Sequence, residues 1–271
     1  MDSWVDGQPA DALSLKDRGL AYGDGLFETI AVRGGQPILL DRHLTRLAEG
    51  CSRLAIDADI DRVRTELRAY AAAMGEGVLK LILTRGDGLR GYAPDPAAQG
   101  RRILQGNPPA AYPAVHGEQG VRLFPCATRL SNQPLLAGLK HLNRLEQVLA
   151  RAEWRDGEHA EGLMLDQAGR VIEGVFSNLF LVRDGVLITP YLKRCGVAGV
   201  MRAELLFQAE SLAIPTQITD VSLEQLQWAD EVFICNSVYG VWPVRAYAAL
   251  SWPVGPLTRK LQTIARALLD A

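Results

Sequence analysis

The sequence predicts an α/β protein with α+β character: two domains of unequal size, each with a mixed, largely antiparallel sheet and packed helices. Three observations predict it. Apolar residues recur in some segments at a period of two and in others at three to four, so strands and helices alternate along the chain. Several strand segments follow one another through turns too short for a crossover helix, which implies antiparallel pairing. A stretch rich in proline and glycine separates two segments that each carry both periods. The expected division is a smaller N-terminal domain over 1–105, a linker over 106–119 and a larger C-terminal domain over 120–271.

Leu26–Val32 and Pro37–Leu40 read as strands around a Gly34-Gly35 hairpin turn. Asp41 is the expected cap of a helix carrying Leu44, Leu47, Ala48, Cys51 and Leu54. Ile60, Val63, Leu67, Tyr70 and Met74 mark a second helix, and Val78–Thr84 a short apolar strand. Pro94, Pro96, Pro108, Pro109 and Pro113 then interrupt regular structure, with Arg101–Leu104 still compatible with a strand. In the second half, strands are expected at Val121–Cys126, Gly162–Leu165, Val171–Val175, Leu179–Val182, Val186–Thr189 and Glu231–Cys235. Helices are expected at Leu142–Trp154, Ala198–Ala213 and Leu257–Leu269.

Apolar residues make up 48% of the 271, enough for a sizeable core. A formal net charge of −2 argues against a basic nucleic-acid surface but leaves room for a few cations around a small anionic substrate. Cys51, Cys126, Cys195 and Cys235 stand far apart, and His43, His116, His141 and His159 show no ligand spacing. Buried thiols are expected, with no metal and no disulfide framework. The first residues lack the basic flank and apolar stretch of a signal peptide, and no apolar run approaches membrane length. The expectation is a cytoplasmic protein without a membrane or nucleic-acid partner.

Gly86, Gly88 and Gly91 have the spacing of a dinucleotide-binding loop. That loop needs a helix to begin there, so that its N-terminus faces the pyrophosphate. Tyr92-Ala93-Pro94-Asp95-Pro96 does not start one. A glycine loop is expected instead, whose Arg85, Arg90 and Tyr92 could grip a carboxylate.

Lysines are mostly solvated, so one lysine alone says little. Lys140 sits between Leu139 and Leu142, just ahead of a predicted amphipathic helix. Glu173, flanked by Val171, Ile172 and Val175, is either an edge-strand carboxylate or one held inward for a cation. Gly196-Val197-Ala198-Gly199-Val200-Met201-Arg202 is either an ordinary glycine turn or an anion site at a helix start, where the dipole adds roughly 0.3–2 kcal/mol.

Gly23-Asp24-Gly25-Leu26-Phe27-Glu28-Thr29, His43-Leu44-Thr45-Arg46-Leu47, Lys140, Glu173 with Asn178-Leu179-Phe180, Thr189-Pro190, and Gly196-Val197 with Gly199 occur in this order. Each is weak alone; together they resemble the class-IV (fold-type IV) pyridoxal-phosphate aminotransferase family along nearly the whole chain. The resemblance implies pyridoxal 5′-phosphate as cofactor and a homodimer. It implies that Lys140 holds the cofactor as a Schiff base and moves the proton, and that Glu173 holds the protonated pyridine nitrogen. Arg46 is implied to bind the phosphate, with the backbone of Val197 and Ala198 and with Asn236 or Ser237. Val175 departs from the pattern, standing where many relatives carry a small hydroxyl residue.

Within the family, Ala137–Val148, Arg85–Tyr92 and Asp230–Ser237 are similar to its 4-amino-4-deoxychorismate lyases. That similarity implies a carbon–oxygen elimination giving 4-aminobenzoate and pyruvate in folate biosynthesis. The alternative is an aminotransferase acting on D-amino or branched-chain amino acids. A relative without catalysis is a third reading, which the presence of Lys140 and Glu173 disfavours. Thr29 and Asn143 are implied substrate contacts. For the substrate carboxylates there are two candidates. Arg90 lies on the glycine loop, and Arg144 is one helical turn past Lys140 if the helix extends that far. The bland alternative has Arg90 solvated and Arg144 paired with Glu146 or Glu173.

Overall fold

The computed structural model describes residues 2–270, and the chain divides into two units. The first contains the residues up to Ala110 together with Leu139–Asn143; the second contains Ala111–Gly138 and Arg144–Asp270. Among the described residues no helix is long and apolar enough to cross a membrane. All four cysteines are buried free thiols.

The first unit runs β1 (Trp4–Val5), β2 (Gln8–Pro9), α1 (Arg18–Tyr22), β3 (Gly25–Arg33), β4 (Gln36–Pro37), α2 (Leu40–Leu54), α3 (Ile60–Met74), β5 (Gly77–Thr84) and β6 (Arg101–Asn107). Among the described residues its strands form one sheet in the order β2-β1-β6-β5-β3-β4. Period-two alternation decides what the sheet buries. Leu26, Ile30 and Val32 of β3 join Leu79, Leu81 and Leu83 of β5 in a core with Leu44 and Leu47 of α2 and Val63 and Leu67 of α3. Phe27 and Thr29 point to the other face and are half-buried.

Two expectations differ here. The strand expected over Pro37–Leu40 ends at Pro37, because Leu39 takes a left-handed backbone (φ 53°) and α2 begins at Leu40. Asp41 therefore lies in the first turn rather than at the cap, where it meets the helix dipole and pairs with Arg64.

The second unit runs α4 (Ala114–Gln119), β7 (Val121–Leu130), α5 (Leu145–Arg151), β8 (His159–Asp166), β9 (Val171–Gly174), β10 (Asn178–Arg183), β11 (Val186–Pro190), α6 (Val200–Ser211), β12 (Thr216–Thr219), α7 (Leu223–Gln227), β13 (Glu231–Asn236), β14 (Gly240–Tyr247), β15 (Leu250–Ser251) and α8 (Pro256–Leu269). The sheet runs β12-β11-β10-β13-β14-β7-β8-β9, with β15 added on β14. Most pairs are antiparallel, but β7–β8, β7–β14 and β11–β12 are parallel. β8, β9, β10 and β13 are buried at nearly every position and are largely apolar on both faces, whereas β12 is exposed and polar. Leu163 and Leu165 enter one core cluster while Met164 between them enters another.

The helix expected over Leu142–Trp154 is confined to Leu145–Arg151. Lys140–Leu142 is extended instead, because the edge of β3 offers it backbone partners. The Phe27 N–H donates to the Lys140 carbonyl at 2.9 Å, and the Leu142 N–H donates to the Gly25 carbonyl at 3.0 Å.

Candidate active site

In the first unit, β3 places an acid inside an apolar face. Glu28 is 2% exposed, and a buried carboxylate requires countercharge. It comes from α2, where His43 and Arg46 lie one turn apart. His43 Nδ1 and Glu28 Oε2 are 2.6 Å apart; Arg46 Nε donates to Oε1 at 2.9 Å, and its Nη2 donates to Oε2. Burial alone would raise the Glu28 pKa, but the Arg46 charge and the His43 bond hold it down to about 2. Burial drives His43 below its usual value; Glu28 opposes this, and the charges of Arg46 and Lys140 add to it. Arg46 thus turns its Nε/Nη2 edge to Glu28.

Lys140 is fixed by the backbone bonds to β3. Its Nζ lies 4.3 Å from the centre of the Phe27 ring, and Lys80 Nζ lies 5.6 Å from the same ring. Lys80 is also the register partner of Thr29. Phe27, Thr29, Lys80 and the Lys140 amine therefore share one face of the sheet, opposite to Glu28. Asn143 donates from Nδ2 to the Gly23 carbonyl at 3.2 Å, which ties it to the turn before β3.

No helix follows Gly86–Gly91, so the loop is not a dinucleotide site. Its shape is set by buried arginines. Arg85 binds both Asp24 oxygens, at 2.8 and 3.1 Å, and the Leu54 and Ala55 carbonyls at the end of α2. Arg18 binds Asp24 and the Gly91 and Tyr92 carbonyls. Arg85 is thereby a structural clamp, while Arg90 and Tyr92 are exposed on a backbone that Arg18 pins.

In the second unit Glu173 of β9 is 3% exposed and pairs in register with Asn178 of β10. Its Oε2 accepts the Val197 N–H at 2.8 Å and Asn178 Nδ2 at 3.4 Å, and Asn178 Nδ2 also donates to the Val197 carbonyl at 2.8 Å. Such close packing explains Gly199, where a Cβ would overlap the Asn178 amide. Gly199 begins α6 without a side-chain cap. Arg202, in the first turn of α6, donates to Thr189 Oγ1 and the Pro190 carbonyl, each at 3.0 Å, which accounts for the Thr189-Pro190 motif. Arg144 precedes α5; burial lowers its pKa, and the charges of Glu173 and Glu146 oppose that. Asn236 Oδ1 accepts the Val238 and Tyr239 N–H groups at 2.9 and 3.0 Å, and its Nδ2 donates to the Phe176 carbonyl at 3.3 Å.

Of the eleven candidate residues, Thr29, Arg46, Arg90, Lys140 and Asn143 lie in the first unit, and Arg144, Glu173, Val197, Ala198, Asn236 and Ser237 in the second. Three placements differ from the sequence reading. The Val197 N–H serves Glu173 and the Ala198 N–H serves the Gly138 carbonyl at 3.0 Å, so the open helix end lies at Val200 and Met201. The Asn236 amide is tied into its own turn. Lys140 and Arg144 do not share a helix face, because the chain between them is not helical. Glu28 and Lys80 were missed. The signal for each was a charged residue inside a strand whose alternation is otherwise apolar.

The sequence profile of the amino-transferase class IV family matches residues 25–247, and the chain belongs to that family. It is similar to the 4-amino-4-deoxychorismate lyase from Pseudomonas aeruginosa, whose crystal structure superposes with a TM-score of 0.98 at 66% identity, covering 99% of this chain and 100% of that one. The aminodeoxychorismate lyase of Vibrio harveyi is 41% identical over 266 residues, 96% of this chain and 97% of that protein. The D-alanine aminotransferase of Bacillus licheniformis is 26% identical over 261 residues, 93% of this chain and 90% of that protein.

Proposed function

We propose that the chain is a 4-amino-4-deoxychorismate lyase, forming 4-aminobenzoate and pyruvate in folate biosynthesis with pyridoxal 5′-phosphate held by Lys140. The observation that carries this reading is the 66% identity with the P. aeruginosa lyase along 99% of the chain. The residues fit the cofactor. A buried carboxylate backed by N–H donors, a glycine-led helix start without a side-chain cap, a guanidinium fixed from one edge, and a lysine beside an aromatic ring are the donor set such a group requires.

When bound, pyridoxal phosphate supplies an electron sink for the charge left on a carbon that loses its proton. Lys140 Nζ holds the group and takes the proton from the amine-bearing carbon of the substrate. Glu173 keeps a proton on the pyridine nitrogen. Arg46, the Val200 and Met201 N–H groups and Ser237 hold the phosphate. Thr29, Asn143 and Lys80 face the substrate, and Arg90 supplies a cation for one of its two carboxylates. Arg144 stays with Glu173 and Glu146. Departure of the enolpyruvyl oxygen leaves an aromatic ring, so the chain need only position, deprotonate and stabilise charge. The proposed protein is a cytoplasmic homodimer; support comes from the family resemblance and from four buried thiols suited to a reducing compartment.

The aminotransferase alternative is kept alive by the likeness to D-alanine aminotransferase. It begins with the same proton removal but must return the proton and accept a keto acid. The test is product analysis on purified protein given 4-amino-4-deoxychorismate alone. Equal amounts of 4-aminobenzoate and pyruvate are expected. Turnover only after a keto acid is added would overturn the lyase reading.

A further inference from the structure

Glu161 of β8 is a fully buried carboxylate (0% exposed) with no part in the site described above. Its Oε1 accepts the N–H of Gly162 at 2.8 Å and of Val175 at 3.0 Å; its Oε2 accepts the N–H of Phe176 at 3.3 Å and the Ser177 hydroxyl at 2.8 Å. Three of these four donors belong to the turn between β9 and β10. That turn has Glu173-Gly174 at one end and Ser177-Asn178 at the other, and the Gly174 N–H closes it on the Ser177 carbonyl at 2.7 Å. A Cβ at Gly174 would overlap the Ser177 hydroxyl and come within 3.0 Å of the Glu161 carboxyl, so the approach is as close as glycine permits. The Phe176 carbonyl in turn accepts Asn236 Nδ2, and Asn236 organises the turn that carries Ser237.

We propose that Glu161 is a positioning residue that, as a carboxylate only, clasps the 174–177 turn and through it sets Glu173, Asn178 and the Asn236–Ser237 turn. The chemistry of the donors requires the anion. Four neutral donors converge on two oxygens, which suits a group that only accepts. A protonated carboxyl brings an O–H of its own that needs an acceptor, and its hydroxyl oxygen accepts poorly, so at least one of the four donors is released; protonation of Oε2, which serves only Phe176 and Ser177, releases a turn donor. The same geometry makes the clasp sensitive to pH. Burial raises the Glu161 pKa to about 7, against the pull of its four donors. The titratable groups that face it are Cys126 on β7, Tyr112 ahead of α4 and Tyr239 between β13 and β14. Burial pushes each of these up, Cys126 to about 12, so they stay neutral while Glu161 changes charge.

The importance of the clasp for turnover rests on the proposed roles of Glu173 and Ser237, so the test reads the turn directly. Amide hydrogen exchange of residues 174–178 and 236–239 is measured in the full chain, corrected for intrinsic rates, at about pH 6 and about pH 8. In the wild type, protection is expected to be about tenfold greater at the higher pH. In Glu161→Gln it is expected to be low at both, since an amide cannot accept all four donors. Ser177→Ala, which keeps the carboxylate and removes one donor, is expected to fold and to move the wild-type midpoint to higher pH. Pyridoxal phosphate titration under the same conditions should follow the protection. Protection independent of pH, or Glu161→Gln with wild-type protection, overturns the proposal. Exchange as expected without cofactor binding leaves the clasp standing and removes the cofactor reading instead.

Discussion

Arg90 and Arg144 show why residue type alone could not settle the substrate contacts. Both are arginines near motif residues, yet their surroundings are opposite. Arg144 is half-buried in the field of Glu173 and Glu146. Arg90 is exposed, but Arg18 grips the carbonyls of the two residues that follow it, so its position is defined although its side chain is solvated. Arg90→Ala is therefore expected to lower kcat/KM roughly tenfold, chiefly through KM, as loss of one charge-assisted carboxylate contact should. Arg144→Ala is expected to weaken cofactor binding, because it removes a positive charge whose field reaches Glu173. Steady-state kinetics and cofactor titration on the two variants check this; unchanged kinetics for Arg90→Ala would remove that residue from the site.

At the scale of elements, the pairing of β3 with α2 joins two motifs that the sequence presents separately. Glu28 comes from one, His43 and Arg46 from the other, and the three form a single buried cluster. The folded pKa of Glu28 lies below its ordinary value, so its contribution to stability is present above about pH 4.5 and is lost as pH falls toward about 2. Glu28→Gln is expected to cost roughly 3–5 kcal/mol near neutrality, because it leaves Arg46 buried without its partner, and to approach the wild type in acid. Denaturant unfolding across that range checks it; a cost unchanged at low pH would mean that packing, not charge, is lost. The same comparison shows what the sequence could disclose. Periodicity located β3, α2, α3, β5 and α6 to within a few residues, because each has one clear repeat. It failed at 142–144, where helical spacing was overridden by the edge of β3, a partner more than a hundred residues earlier. It also missed β12, β14 and α7, whose burial depends on sheet order rather than local pattern. Lys140 and Glu173 stood out as candidates through their motifs. The true helix start at Val200 was not, because the Val197 and Ala198 N–H groups are diverted by contacts that no local pattern encodes.

For the whole molecule, a slightly acidic chain of ordinary composition holds its candidate site cations in a few places. Arg46 is oriented by Glu28, Arg90 is presented on a pinned loop, and Lys80 and Lys140 lie against one aromatic ring. The account of function depends on one of these four more than on the rest. Purified protein is incubated with pyridoxal 5′-phosphate, reduced with borohydride, digested and mapped by mass spectrometry. Lys16, Lys193 and Lys260 serve as controls, and Lys80 as the near rival on the same face. The expected result is a phosphopyridoxyl group on Lys140 alone, absent from Lys140→Ala, which should retain its fold and lose turnover. A label on Lys80, a label spread over several lysines, or full activity in Lys140→Ala would contradict the account.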